Sequence, residues 1–177
     1  ARALEKRTGG AGRPTDKYLT NYIHGGMLAR AVPGARLIDV RRDPRDNAWA
    51  CFKTGFTSPI PFVNAWDDIA AVMSLSRRVL DHLAAHAPHM VLQVQYEDLV
   101  DDLEGQTRRI LDFLGLPFED ACLRFHETKR QVNSASALQV RQPLFRSSIG
   151  AWKPYAEHLA PMERALEQYL GPLASAS

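Results

Sequence analysis

The chain has 177 residues, 45% of them hydrophobic and 24% charged, with a formal net charge of +2. This is the balance of a globular domain large enough for one sizeable core. The near-neutral charge speaks against a dedicated nucleic-acid binder, which carries a strong basic excess, and no apolar run approaches the roughly 18 residues of a membrane helix.

In chain order, residues 1–14 read as a flexible lead-in, because Gly9, Gly10, Gly12 and Pro14 discourage regular structure. The lead-in has no apolar run of the secretory type and no initiator Met. A short helix is predicted over 17–30, then a turn at Pro33-Gly34. Ala35–Arg41 is a compact apolar run with the pattern of a buried strand. A helix should follow from Asp43 or Pro44 to about Gly55. Asp43 is a good N-cap, Pro44 suits the first helical position, and Asp46 stands where a capping box places its acid. After a loop at 57–65, Ile69, Val72, Met73, Val79, Leu80 and Leu83 recur at helical spacing and predict a long helix over 66–86 that ends before Pro88. Met90–Tyr96 alternates as a strand, with Leu92, Val94 and Tyr96 on one face. Helices are expected over 103–114, closed by Gly115 and Pro117, briefly over 121–126, and over 161–170. Residues 128–150 are polar with few periodic signals. The element order predicts an α/β layer fold with a parallel sheet.

The segment Val40–Phe52 (VRRDPRDNAWACF) carries the first chemical feature. Arg42 falls at the carboxyl end of a strand, where α/β proteins bind ligands. The helix start beside it offers unpaired N–H groups and a positive dipole end. A guanidinium forks onto a phosphate with two parallel hydrogen bonds. Two readings stay open on these residues: a phosphate pocket, or a capped helix start whose arginines pair with Asp43, Asp46 or water. The segment resembles the 3′-phosphate-binding motif of sulfotransferases that use 3′-phosphoadenosine 5′-phosphosulfate (PAPS). The resemblance implies that Arg42 binds the 3′-phosphate. The family's Ser eight residues on is Ala50 here, which removes a hydroxyl donor worth about 1.5–3 kcal/mol.

The second feature is Ser134–Tyr155 (SASALQVRQPLFRSSIGAWKPY), a long polar segment with an aromatic anchor at Trp152. By composition it is a surface loop, although long irregular segments are often lids or binding loops. It is similar to the cofactor loop of tyrosylprotein sulfotransferases and of bacterial sulfotransferases with tetratricopeptide repeats, through Ser136, Gln139, Val140 and Pro143. The resemblance implies that Ser136 stabilises the transferring sulfuryl group and that Gln139, Val140, Arg141, Pro143 and Phe145 line the nucleotide. Ala151 stands where the family often has a basic residue before the Trp. Tyr96-Glu97-Asp98-Leu99 resembles the family's segment near the adenine nucleotide; otherwise Tyr96 is a half-buried strand-end aromatic. Thr15–Asn21 resembles the family's lysine segment, with Leu19 where Pro is usual. That likeness implies that Lys17 contacts the sulfuryl group; on composition alone it is an exposed lysine.

The resemblance spans residues 15–170. It implies a P-loop NTPase-like three-layer fold over 15–177, whose first strand and phosphate-gripping loop are not found in this chain and are expected upstream of Ala1. It further implies PAPS as the sulfuryl donor, a hydroxyl-bearing acceptor and no metal. On that reading the chain by itself binds poorly and does not turn over. Asp16 and His24 are the titratable groups near Lys17, while His82, His86, His89, His126 and His158 read as scattered, without metal-ligand spacing. Cys51 and Cys122 are the only cysteines and form no framework, so a reducing, cytoplasmic location is expected. A catalytically degenerate nucleotide-binding relative, a P-loop kinase-like protein and a helical interaction module built on residues 66–86 are the competing readings.

Overall fold

The computed structural model describes residues 14–54, 56, 60–127, 144 and 146–174. The lead-in at 1–13 and most of the polar segment, including Ser136, Gln139, Val140, Arg141, Pro143 and Phe145, lie outside the described residues.

A 3-10 turn at Asn21–His24 runs into α1, Gly25–Ala31. Strand β1 is Leu37–Arg41, α2 is Pro44–Lys53 and α3 is Trp66–His86. Strand β2 is Val91–Gln95, followed directly by α4, Tyr96–Asp101, and α5, Leu103–Leu114. Helix α6 is Ala160–Leu170. The predicted helix over 17–30 is therefore shorter: Lys17 precedes the 3-10 turn rather than lying on a helix. Tyr96, expected to finish a strand, instead opens a helix. The bounds of α3 and α5 agree with the sequence pattern. The end of α5 follows from Gly115, whose φ of 64° is left-handed backbone open to glycine.

β1 and β2 pair in parallel, with Leu37 opposite Val91 and Arg41 opposite Gln95. Parallel neighbours need a crossover, and α2 and α3 supply it. The face bearing Leu37, Asp39 and Arg41 is turned to α3, where Arg41 Nη2 meets Asp81 Oδ1 at 2.6 Å. Arg41 also bonds Asp39 at 2.7 Å, and Gln93 donates to Asp81 at 2.9 Å. The expected buried strand is thus buried on one side. Ile38 and Val40 remain 39% and 56% exposed. Among the described residues the sheet has two strands, so β1 has a neighbour on one edge.

The core lies away from the sheet. Met162, Ala165 and Leu166, at helical spacing on α6, pack with Ile69 and Ala70 of α3, Ala48 of α2, and Trp152 and Leu159. No helix among the described residues is long and apolar enough to cross a membrane.

Candidate functional site

The register places the site. Arg41 lies opposite Gln95, so the next residues, Arg42 and Tyr96, leave the sheet side by side at the carboxyl end of both strands. The Arg42 guanidinium lies over the Tyr96 ring, 5.5 Å from its centre. It donates through Nη2 to the carbonyl of Ser148, and that nitrogen is 3.6 Å from Asp46 Oδ1. The Tyr96 hydroxyl is 3.0 Å from Ser148 Oγ. A strand-end arginine, a helix-opening tyrosine and a serine of the polar segment thus meet at one point. Arg42 Nε is buried and has no hydrogen-bond partner among the described residues. A buried guanidinium N–H without an acceptor is costly, and a bound anion would satisfy it.

Of the two readings open on the sequence, the helix start takes the capped one. The Asp43 side chain caps α2, accepting from Arg45 N at 2.8 Å and Asp46 N at 3.3 Å. The N–H groups expected to face a phosphate are therefore occupied by the cap. The Asp43 N–H itself goes to Glu97 Oε1 at 2.9 Å. In a capping box Asp46 would take that N–H. Glu97 is a residue that sequence reasoning left without a role; it also accepts from Gln95 at 2.6 Å.

Freed from capping, the Asp46 carboxylate turns inward and is 1% exposed. It accepts Gly150 N–H at 2.7 Å and Trp152 N–H at 3.3 Å. Gly150, at φ 70°, has the left-handed backbone that this turn requires. Arg45 forks onto Asp43, with Nη2 to Oδ2 at 2.9 Å, and its guanidinium lies 4.6 Å over the Trp152 ring. The first turn of α2 therefore clamps the Gly150–Trp152 segment from two sides and seats Ser148 beside Arg42. Asp46 was expected as a capping acid or as a partner of the arginines, and the second holds at 3.6 Å from Arg42. Its burial and its two backbone partners could not be seen in the sequence, because they come from the other end of the chain.

Electrostatics follow the same contacts. Burial pushes the Asp43 carboxyl up, but the side-chain bond, backbone bond and charge of Arg45 outweigh it, and its pKa falls below the ordinary value. Burial raises the Cys51 thiol, opposed by the Arg42 charge. Cys51 is a half-buried free thiol, as is Cys122, and a protonated thiol is a poor nucleophile.

Lys17 is exposed ahead of the first turn and, among the described residues, makes no hydrogen bond or ion pair with the Arg42 cluster. Its neighbour Asp16 accepts from Asn21 Nδ2 at 3.0 Å, and His24 is exposed. The structure thus brings Arg42 and Tyr96 together, and no hydrogen bond or ion pair among the described residues joins Lys17 to them. Two of the histidines, His82 and His86, lie one turn apart on α3 with their rings tilted against each other, centres 4.1 Å apart. Among the described residues no group of three or more His, Cys, Asp or Glu side chains is placed to hold a metal.

The profile of the Sulfotransferase family matches residues 2–120, a stretch that includes Lys17, Arg42, Ala50 and Tyr96. An uncharacterized protein of Aquifex aeolicus (strain VF5) is 29% identical over 161 residues, covering 88% of this chain and 21% of that protein. The chain therefore spans about a fifth of the length of the curated relative it matches. The parallel strand-helix layout agrees with the α/β, P-loop-like fold of such a family. With the match covering well over half of its length, the chain belongs to the sulfotransferase family.

Proposed function

We propose that this chain carries the 3′-phosphate and adenosine side of a site that moves a sulfuryl group from PAPS to an acceptor hydroxyl. The observation that carries the reading is Arg42: it stands at the strand end against Tyr96, with its Nε–H buried and without a partner among the described residues. A fixed planar cation with an unused donor suits a phosphate oxygen. When bound, PAPS supplies the sulfuryl group, and 3′,5′-ADP is what remains.

Within this reading Arg42 holds the 3′-phosphate and Tyr96 flanks the nucleotide. Lys17 and Ser136 neutralise charge at the transferring group, and Gln139, Val140, Arg141, Pro143 and Phe145 line the nucleotide. Sulfuryl transfer resembles phosphoryl transfer in that the protein's contribution is positioning and charge stabilisation. The likeness to tyrosylprotein sulfotransferases supports a peptide tyrosine as acceptor, with sugars and small-molecule hydroxyls as the alternatives. A second reading, a nucleotide-binding relative without turnover, is favoured by Ala50, which presents no hydroxyl.

Calorimetry of the full-length protein with 3′,5′-ADP and with ATP tests the proposal. The expected result is binding of 3′,5′-ADP with little or none of ATP, abolished by Arg42→Ala. Failure of the full-length protein to bind 3′,5′-ADP removes the sulfotransferase reading of this site. Transfer of label from PAPS to an acceptor separates a working enzyme from the relative without turnover.

A further inference from the structure

We propose that Ser148 is a direct ligand of the 3′-phosphate, supplying through its Oγ the hydroxyl that position 50 does not present. The inference rests on the reading of Arg42 as the 3′-phosphate ligand. It names a residue for which neither the sequence pattern nor the family match, which ends at residue 120, offers a role.

Three observations carry it. First, Ser148 touches both members of the strand-end pair: its carbonyl accepts from Arg42 Nη2, and its Oγ lies 3.0 Å from the Tyr96 hydroxyl. Second, the Arg42 donor beside it, Nε–H, is buried with no partner among the described residues. An anion oxygen placed to accept from Nε would lie next to a residue that Arg42 already touches. Third, Ser148 is half-buried, so a ligand can reach it, while Asp46 holds the amides of Gly150 and Trp152 just beyond it. The backbone next to Ser148 is therefore held in place.

The hydrogen-bond logic is directional. A hydroxyl has one O–H to donate and lone pairs to accept with. When the Tyr96 O–H donates to Ser148 Oγ, the Ser148 O–H is released to donate outward. A chain of this kind, from Tyr96 to Ser148 to a phosphate oxygen, polarises each link and favours an anion at its end. Ala50, one methyl group on α2, cannot take that place.

Ser148→Ala tests this cleanly, since it deletes Oγ and leaves the carbonyl that Arg42 uses. Binding of 3′,5′-ADP and of 5′-AMP, which lacks the 3′-phosphate, is measured by calorimetry on the full-length wild type and variant. The expected result is a loss of about tenfold or more for 3′,5′-ADP, the size of one charge-assisted hydrogen bond, with 5′-AMP unchanged. Ser148→Thr, which keeps a hydroxyl, should retain affinity, and Ala50→Ser should restore part of the loss in the Ser148→Ala background. An affinity for 3′,5′-ADP within about twofold of wild type overturns the proposal, as does an equal loss for both nucleotides, which would make Ser148 structural. Should Ser148→Ala not fold, Ser148→Val, which has the shape of Thr without its hydroxyl, decides beside Ser148→Thr: discrimination lost in the Val variant alone supports the role, and equal discrimination in both removes it. A wild type that binds both nucleotides equally, or neither, sinks the reading of the 3′-phosphate site and this proposal with it.

Discussion

The carboxylate of Asp46 accepts the amide of Gly150 at 2.7 Å, joining points 104 positions apart in the chain. The same carboxylate reaches Trp152 N–H and lies 3.6 Å from Arg42. One buried acid thus ties the strand-end arginine to the far segment of the chain, so the site and the core share a fastening. The consequence is that stability and nucleotide affinity should move together at this residue and separately elsewhere.

Asp46→Asn should destabilise the protein by about 2–3 kcal/mol. The amide keeps one acceptor but loses the charge and turns an NH₂ toward a backbone donor, and hydrogen bonds to charged groups are worth about 1.5–3 kcal/mol. Urea denaturation of wild type and variant measures it. A midpoint unchanged by the substitution would show that the clamp contributes nothing.

Arg42→Lys should lose most of the 3′,5′-ADP affinity, about tenfold or more, although charge is kept. A lysine ammonium has no planar fork and cannot lie over the Tyr96 ring with a second donor aimed past it. Affinity equal to wild type would place the nucleotide elsewhere.

Lys17→Ala should leave 3′,5′-ADP binding unchanged and lower turnover with PAPS. Lys17 is exposed and, among the described residues, makes no bond to the Arg42 cluster, so its proposed contribution falls on the transferring group, where interactions made in the transition state alter kcat. Single-turnover rates beside calorimetry separate the two effects; a weakened affinity with normal turnover contradicts the assignment.

Acid should weaken the fold through Asp43. Its folded pKa lies below 3.8, so the folded state holds fewer protons on this group than the unfolded chain does. Its stabilisation is complete above the unfolded value and is lost as the pH falls from there through the lower folded value. Asp43→Asn retains a good N-cap but takes the charge partner from the buried Arg45 guanidinium, and should cost about 1.5–3 kcal/mol at neutral pH, the worth of a hydrogen bond to a charged group. It should also flatten the decline below about pH 4. Parallel urea titrations of both proteins across that range check the slope.

Met162→Ala should cost about 2–5 kcal/mol, since Met162 is fully buried between α6 and α3 and its removal leaves a cavity. Thermal unfolding followed by circular dichroism measures it, and a loss below about 1 kcal/mol would mean that the core collapses to fill the space.

Where chemistry is local, the sequence by itself determined the outcome. The apolar spacing of residues 66–86 and 103–114, the Asp43-Pro44 start of α2 and the Gly115 stop depend on neighbours within a turn or two, and each is found where the pattern puts it. So was the position of Arg42 at the end of a strand. The tertiary structure alone decided what Arg42 meets. The parallel register brings it beside Tyr96, Asp43 rather than a ligand takes the first N–H groups of α2, and Asp46 turns from a cap into a buried clamp for Gly150 and Trp152. Apart from the Asp43 cap, which is local and legible in the sequence, these contacts join residues from separate elements, and no local pattern encodes them. A carboxylate or N–H takes whichever partner the packed chain presents, and burial then makes that choice costly to undo.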